Sequence, residues 1–163
     1  MRRSIVRFAS SLAALAAFTL APRAAAAQLA DTKALTAEAV KTMLAAAEAT
    51  AKANRWNVSI AITDGAGDLM GFLRLDGASV GTVQIATGKA RTAARFGRPT
   101  KVYADRVLAD TLTFLSVEGV ITLQGGLPIV VGGKVIGAVG VSGVTSAQDE
   151  QVAAAAIAAV IKP

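Results

Sequence analysis

The segment LPIVVGGKVIGAVGV, residues 127–141, decides the fold that this sequence predicts. It consists of two apolar runs joined by two glycines: Leu127–Val131, Gly132-Gly133 and Val135–Val141. A pair of glycines between apolar, β-branched runs is a strong signal for a β-hairpin, because glycine adopts the positive φ angles of a tight hairpin turn. The runs show little polar alternation, so we expect helices to cover both faces of their sheet.

An earlier part of the chain predicts another hairpin. Val58–Ile62 and Leu69–Leu75 are apolar runs of strand length, and the segment DGAGD (64–68) lies between them. Aspartate and glycine are typical of turns, because aspartate accepts hydrogen bonds from nearby backbone amides and glycine tolerates positive φ. We therefore assign Asp64 and Asp68 to turn structure and not to catalysis.

Three helices are predicted around these hairpins. The first begins at Thr36, the second extends from Ser79 to Phe96, and the last begins at about Ser146. Threonine and serine are favourable N-caps, and Gly97 followed by Pro99 is a typical helix end. Ser146 and Asp149 have the spacing of a capping box, with aspartate in place of the usual glutamate or glutamine.

The remaining segments complete a layered domain. Residues 100–112 fit either a short helix or an ordered loop, and Val120–Leu123 fits a short additional strand. Gly137 and Gly140 lie inside an apolar strand, where glycine usually marks the close approach of a neighbouring helix. Short connections make neighbouring strands antiparallel. The sequence therefore predicts an α+β domain with an antiparallel sheet of about five strands flanked by helices, a layered α/β/α sandwich that is profilin-like.

The first residues have the composition of a secretory leader. Three arginines precede the apolar run Phe8–Leu20, and small residues follow as far as Ala27. This run is shorter than the roughly 20 residues that span a bilayer, although an uncleaved membrane anchor is the alternative. We expect a signal peptide over residues 1–27, a single domain over 28–163, and export to the periplasm or the extracellular space without a stable membrane anchor.

The composition excludes several classes of function. The chain has no Cys and no His, which rules out thiol nucleophiles, imidazole bases, Cys/His zinc sites and disulfides. Lys and Arg number 17 against 11 acidic residues, and four of the arginines lie in the predicted leader. The small positive charge of the mature domain argues against nucleic acid as a partner. We identify no acid–base pair, and whether the protein is an enzyme stays open.

Five basic residues cluster around the end of the second predicted helix. They are Lys89, Arg91, Arg95, Arg98 and Lys101. Arg91 and Arg95 lie one helical turn apart on the same face, and Arg98 continues that side. One interpretation is a solvated group of charges that is favourable near a helix C-terminus. The other is an anion site, because the planar guanidinium group binds both oxygens of a carboxylate.

Several motifs, in order, resemble those of the GlcG/HbpS-like heme-binding protein family. They are ITDGAGDLM (62–70), LRLDGA (73–78), IATGKARTAARFGRPT (85–100), GGLPI (125–129), VIGAVGVSG (135–143) and Asp149-Glu150. The resemblance covers about residues 36 to 161. It implies an antiparallel sheet flanked by helices, assembly as a homo-oligomer, and heme as a possible cofactor. Export also occurs among the family's heme-binding members.

The resemblance, taken with the basic cluster, predicts a set of ligand-binding residues. The set is Arg91, Arg95, Arg98, Tyr103, Gly125 and Gly126. The arginines would meet carboxylates, and the two glycines would let the backbone approach the ligand closely. Tight heme ligation uses His, Cys, Met or Tyr, and this sequence lacks the first two. Met43, Met70 and Tyr103 remain after cleavage of the leader, and we assign Met43 to the buried stripe of the first helix and Met70 to a strand core. Tyr103 is therefore the predicted metal ligand, and no catalytic residue is predicted.

Three hypotheses of function follow. The first is an exported protein that binds a small molecule, either heme, a related tetrapyrrole or an anionic metabolite, without catalytic machinery of its own. The second is a heme-degrading or cofactor-dependent enzyme in which bound iron supplies the chemistry. The third is an oligomeric, partner-binding protein whose pocket is vestigial.

Overall fold

The structure is a computed structural model that describes residues 32–161. Its elements in chain order are α1 (Ala37–Ala53), β1 (Ser59–Asp64), β2 (Leu69–Arg74), α2 (Thr82–Phe96), α3 (Lys101–Leu108), a 3-10 helix (Leu112–Ser116), β3 (Gly126–Val131), β4 (Lys134–Ser142) and α4 (Ser146–Ala158). The predicted signal peptide, residues 1–27, lies outside the described residues. None of the described helices is both long enough and apolar enough to cross a membrane.

The strands form one antiparallel sheet in the order β2-β1-β4-β3. The α+β prediction is therefore confirmed, with four strands in the described range. The predicted strand over Val120–Leu123 is wrong. In this segment the Ile121 amide donates to Thr92 Oγ1 of α2 at 2.9 Å and not to a neighbouring strand.

Helices cover both faces of the sheet, as the apolar strands predicted. The face toward α1 and α4 carries large side chains, among them Ile60, Ile62, Val139 and Val141. The face toward α2 carries small ones, and Ala61 and Ala138 pack there against the alanines of α2. Large and small side chains alternate along β1 and β4, so the layer between the sheet and α1 and α4 is thick, and the layer between the sheet and α2 is thin.

The thin layer brings α2 very close to the sheet. A Cβ atom on Gly140 would collide with the backbone of α2 at the Ala86 carbonyl oxygen and the Ala90 nitrogen. The predicted close approach of a helix is therefore confirmed at Gly140. It is wrong at Gly137, where a Cβ would meet the Leu35 side chain and the Thr63 carbonyl oxygen instead.

Local signals in the sequence predicted the turns and two helix ends correctly. Gly132 and Gly133 have φ of 58° and 77° in the turn between β3 and β4. Asp64 Oδ1 accepts from the amides of Ala66 and Asp68 at 2.9 Å each, which makes it a turn residue. Thr36 caps α1 by accepting from the Ala39 amide at 3.1 Å. Gly97, with φ of 63°, ends α2.

One predicted helix start and one predicted capping box are wrong, whereas the last helix begins at Ser146 as predicted. The second helix begins at Thr82 with Gly81 as its N-cap, so Ser79 lies before it and binds the Thr82 amide through its carbonyl oxygen. The capping box of α4 uses Thr145 and Gln148 in place of Ser146 and Asp149. The Asp149 carboxylate instead accepts from the Val144 amide, one residue before the N-cap, and from the buried Lys89 ammonium group. Residues 101–108 form a helix, one of the two alternatives left open for that segment.

We predict that Gly140→Ala lowers the free energy of unfolding by about 1–3 kcal/mol or more, because the added methyl group has only backbone to displace. The matched control is Gly81→Ala, where a Cβ has no atom within 4 Å and φ is −64°. That change should stay within about 0.5 kcal/mol. Urea unfolding measures both, and equal stabilities for the two variants would contradict the close approach.

Candidate functional site

A groove of about 310 Å³ lies on the outer face of α2, away from the sheet. Its lining residues are Val83, Gln84, Thr87, Gly88 and Arg91 from α2, together with Gly119 and Ile121 from the segment before β3. The helix residues recur at three- and four-residue spacings, so they form one face. The groove is mainly apolar along its length and carries one permanent positive charge, on Arg91.

The far wall of the groove is fixed to α2 at two points. Gly88 leaves the surface of α2 flat, and the Ile121 side chain lies so close that a Cβ on Gly88 would be 2.5 Å from Ile121 Cγ1. The Ile121 amide also donates to Thr92 Oγ1, one turn further along the helix. The segment around Ile121 is therefore held in place on α2.

The structure brings two of the three predicted arginines together over the turn between β1 and β2. Arg91 is half-buried, and its Nε donates to the Gly67 carbonyl oxygen at 3.2 Å. Arg95 is exposed, and its Nε donates to the Ala66 carbonyl oxygen at 2.9 Å. Arg98 is exposed beyond the end of α2. Arg91 is the one predicted site residue that lines the groove.

Tyr103 lies inside an aromatic cluster. Its side chain belongs to α3 and the residue is 3% exposed. Its ring meets Phe96 and Phe114 edge to face, with centroids 5.6 and 5.1 Å apart. The Arg106 guanidinium lies over the Phe114 ring, with Cζ 5.1 Å from the ring centroid. Tyr103 is not among the residues that line the groove.

The predicted glycines Gly125 and Gly126 pack against the inner side of α2. Gly125 has φ of 120°, and a Cβ there would lie 2.8 Å from Asp149 Cβ and 2.9 Å from Lys89 Nζ. A Cβ on Gly126 would lie 2.6 Å from the Lys89 carbonyl oxygen. In the described chain these glycines thus make room for Lys89, and their predicted role in ligand contact stays a prediction.

Lys89 and Asp149 form a buried ion pair that the sequence analysis missed. Lys89 Nζ donates to Asp149 Oδ2 and to the Val141 carbonyl oxygen, both at 2.8 Å. The two side chains are 2% and 3% exposed. Burial raises the pKa of the Asp149 carboxyl, while hydrogen bonds from Lys89 and from the Val144 amide, the latter at 3.2 Å, oppose that rise.

The interpretation of Lys89 as a solvated charge is therefore wrong, and the account of Asp149 as a helix-start residue is incomplete. A usable signal was present in the sequence, because Lys89 shares a helix face with Ala86, Ala90 and Ala93. A lysine among alanines on the buried face needs a buried acid as partner. The partner could not be identified from sequence, since Asp149 lies on another helix.

We predict that Lys89→Met and Asp149→Asn each lower the free energy of unfolding by about 3–5 kcal/mol, because each leaves one buried group without its partner. The double variant should lose less than the sum of the single losses. Urea unfolding of the four proteins in the cycle provides the measurement. Strictly additive losses would mean that the two side chains do not interact.

Another groove, of about 490 Å³, lies near the end of α1. Trp56, Arg55 and Arg74 are among its lining residues. The Arg74 guanidinium is already bound to the Ala78 carbonyl oxygen, with Nε at 2.9 Å and Nη2 at 2.6 Å. None of the predicted site residues lines this groove. Among residues 32–161, no group of three or more acidic side chains is arranged to hold a metal ion.

The fold and the groove define a small α/β/α domain with one antiparallel sheet and a ligand-sized groove over one helix. A family model described as "Haem degrading protein HbpS-like" matches residues 35–158. The chain therefore belongs to the HbpS-like family, which confirms the resemblance seen in the sequence.

Individual relatives agree with this membership. The protein GlcG of Escherichia coli K12 is 42% identical over 108 residues, which cover 66% of this chain and 81% of GlcG. A double mutant of HbpS from Streptomyces reticuli has a TM-score of 0.76 and 31% identity, covering 95% of this chain and 99% of its own. The structure of a PduOC:heme complex has a TM-score of 0.71 and 28% identity, covering 78% and 96%.

Proposed function

We propose that this protein binds heme, a related tetrapyrrole or another planar anionic metabolite in the groove over α2, without catalytic machinery of its own. The observation that carries the proposal is a mainly apolar groove with a half-buried arginine on its lining. Ligand sites are commonly apolar clefts of about 300–1,000 Å³ with a few polar groups that orient the ligand. Family membership and the heme complex of PduOC support heme as the ligand.

The groove offers complementary surfaces for a flat ring and a carboxylate. Val83 and Ile121 present aliphatic groups to a ring edge. Arg91 is held at Nε by the Gly67 carbonyl oxygen, and its terminal nitrogens form no hydrogen bond with the described residues. A guanidinium group held in this way keeps donors for a carboxylate and loses less freedom when the ligand binds.

The same residues do not fit the iron of heme. The described residues that line the groove include no His, Cys, Met or Tyr, the usual protein ligands of heme iron. Tyr103, the predicted axial ligand, is buried between two aromatic rings. The groove therefore suits the edge and the carboxylates of a porphyrin, and we assign no iron ligand within it.

Catalysis is the alternative that the family description favours. When bound, heme iron supplies redox chemistry by itself, so degradation would not require a catalytic side chain. The one charged residue on the described lining is Arg91, and an arginine side chain offers hydrogen-bond donors but no general base. Loss of the heme absorbance with a reductant, beyond the loss in a heme-only control, would establish the enzyme.

We also propose that the protein is exported and forms a homo-oligomer. Export is inferred from the leader-like residues 1–27.

Assembly is supported by large apolar side chains exposed on α3 and the 3-10 helix, including Leu108 at 85% and Leu115 at 59%. Contiguous exposed apolar surface usually marks an interaction site. Light scattering of the purified protein would show a monomer if this proposal is wrong.

We predict that Val83→Trp weakens hemin binding by about tenfold or more, because the indole fills the groove. Val80→Trp is the matched control, since Val80 is 73% exposed and does not line the groove. Its affinity should equal that of the wild-type protein. Absorbance titration with hemin measures both, and equal affinities for the two tryptophan variants would place the ligand elsewhere.

We predict that Arg91→Gln weakens hemin binding by about tenfold, whereas Arg95→Gln leaves it nearly unchanged. Both variants lose a hydrogen bond to the same turn, but only Arg91 lines the groove, so the pair separates ligand contact from turn stability. The same titration measures the affinities. Equal losses would favour the predicted site that uses all the arginines of the cluster.

A further inference from the structure

We infer that the groove recognises a porphyrin through its ring edge and carboxylates and not through a central metal, so that metal-free protoporphyrin binds as tightly as hemin. The inference deepens the proposed function and rests on it. It names a ligand class, the dicarboxylate porphyrins with or without iron, and it follows from a mismatch between the chain's own residues and the iron of heme.

Two of the usual ligands of heme iron are absent from the whole sequence. The chain of 163 residues contains no His and no Cys. Histidine and cysteine, with methionine and tyrosine, hold heme iron in most heme proteins. Assembly of identical copies does not change this, because a second copy brings the same residue types to any shared site.

In the described part of the chain, the tyrosine and the methionines do not lie in the groove. Tyr103 is clamped by Phe96 and Phe114. Met43 is fully buried in the core under α1. Met70 is 40% exposed on the edge strand β2, so its predicted place in a strand core is wrong, and it does not line the groove. The remaining methionine, Met1, lies in the predicted signal peptide.

The groove supplies a polar anchor and an aliphatic wall. Its polar anchor is the Arg91 guanidinium, oriented by the Gly67 carbonyl oxygen. Its wall is the aliphatic side chain of Ile121, fixed by the bond from its amide to Thr92. Hemin and metal-free protoporphyrin present the same ring edges and the same propionates to these groups. The contacts therefore do not distinguish the two ligands.

The test titrates the purified protein with hemin, metal-free protoporphyrin IX and its dimethyl ester. Quenching of Trp56, the single tryptophan, provides a common readout. The dissociation constants of hemin and protoporphyrin IX should agree within about threefold. The dimethyl ester should bind about tenfold or more weakly, because it has no carboxylate for Arg91. Hemin bound about tenfold or more tightly than protoporphyrin IX would overturn the inference while leaving the proposed function intact.

Two conservative variants test iron ligation separately. Tyr103→Phe keeps the aromatic packing, and Met70→Leu changes an exposed side chain. Both should leave hemin affinity and the position of the Soret band unchanged, with circular dichroism verifying the fold. A shifted Soret band in either variant would identify an iron ligand and contradict the inference. If none of the three porphyrins binds, the inference is wrong and the proposed function is reduced to its third ligand class, another planar anionic metabolite.

Discussion

The backbone of α2 lies directly on β4, and much of the structure depends on this close approach. It requires a glycine at position 140, where any side chain would enter the helix backbone. It also requires the alanines that line the inner face of α2. A helix this close to the sheet leaves no path to solvent for a polar side chain on its inner face. Lys89 occupies such a position and needs an internal partner.

The buried ion pair connects the layers of the fold. Lys89 belongs to α2, Asp149 to α4, and the carbonyl oxygen that accepts the second hydrogen bond to β4. Such a pair adds little net stability compared with apolar residues, but loss of one partner is costly. Its two hydrogen bonds, both at 2.8 Å, link α2 to α4 and to β4. Gly125 is part of the same arrangement, because it leaves space for the two side chains.

This arrangement also positions the wall of the proposed ligand site. The chain passes from Gly119 and Ile121 on the outer face of α2 to Gly125 on its inner side. The segment is held at both ends: Ile121 contacts Gly88 and donates its amide to Thr92, and the Gly125 carbonyl oxygen accepts from the Val141 amide of β4 at 2.9 Å. The groove is therefore preformed, which lowers the entropic cost of binding.

The sequence predicted the features that depend on neighbouring residues. The Gly132-Gly133 turn, the Thr36 cap and the Gly97 helix end each need one or two local residues. Its errors are contacts across the fold. Residues 120–123 resemble a strand but bind α2, and Asp149 resembles a capping residue but binds Lys89. The sequence singled out Arg91 of the residues that line the groove, but it did not indicate the opposite wall, because Gly119 and Ile121 meet α2 only in the folded chain.

The most direct test of the account is a crystal structure of the protein with metal-free protoporphyrin IX. We expect the ring to lie over α2 between Val83 and Ile121, with a propionate within hydrogen-bond distance of the Arg91 guanidinium. A ring bound in the groove beside Arg55 and Trp56, or on the exposed apolar surface of α3, would contradict the account.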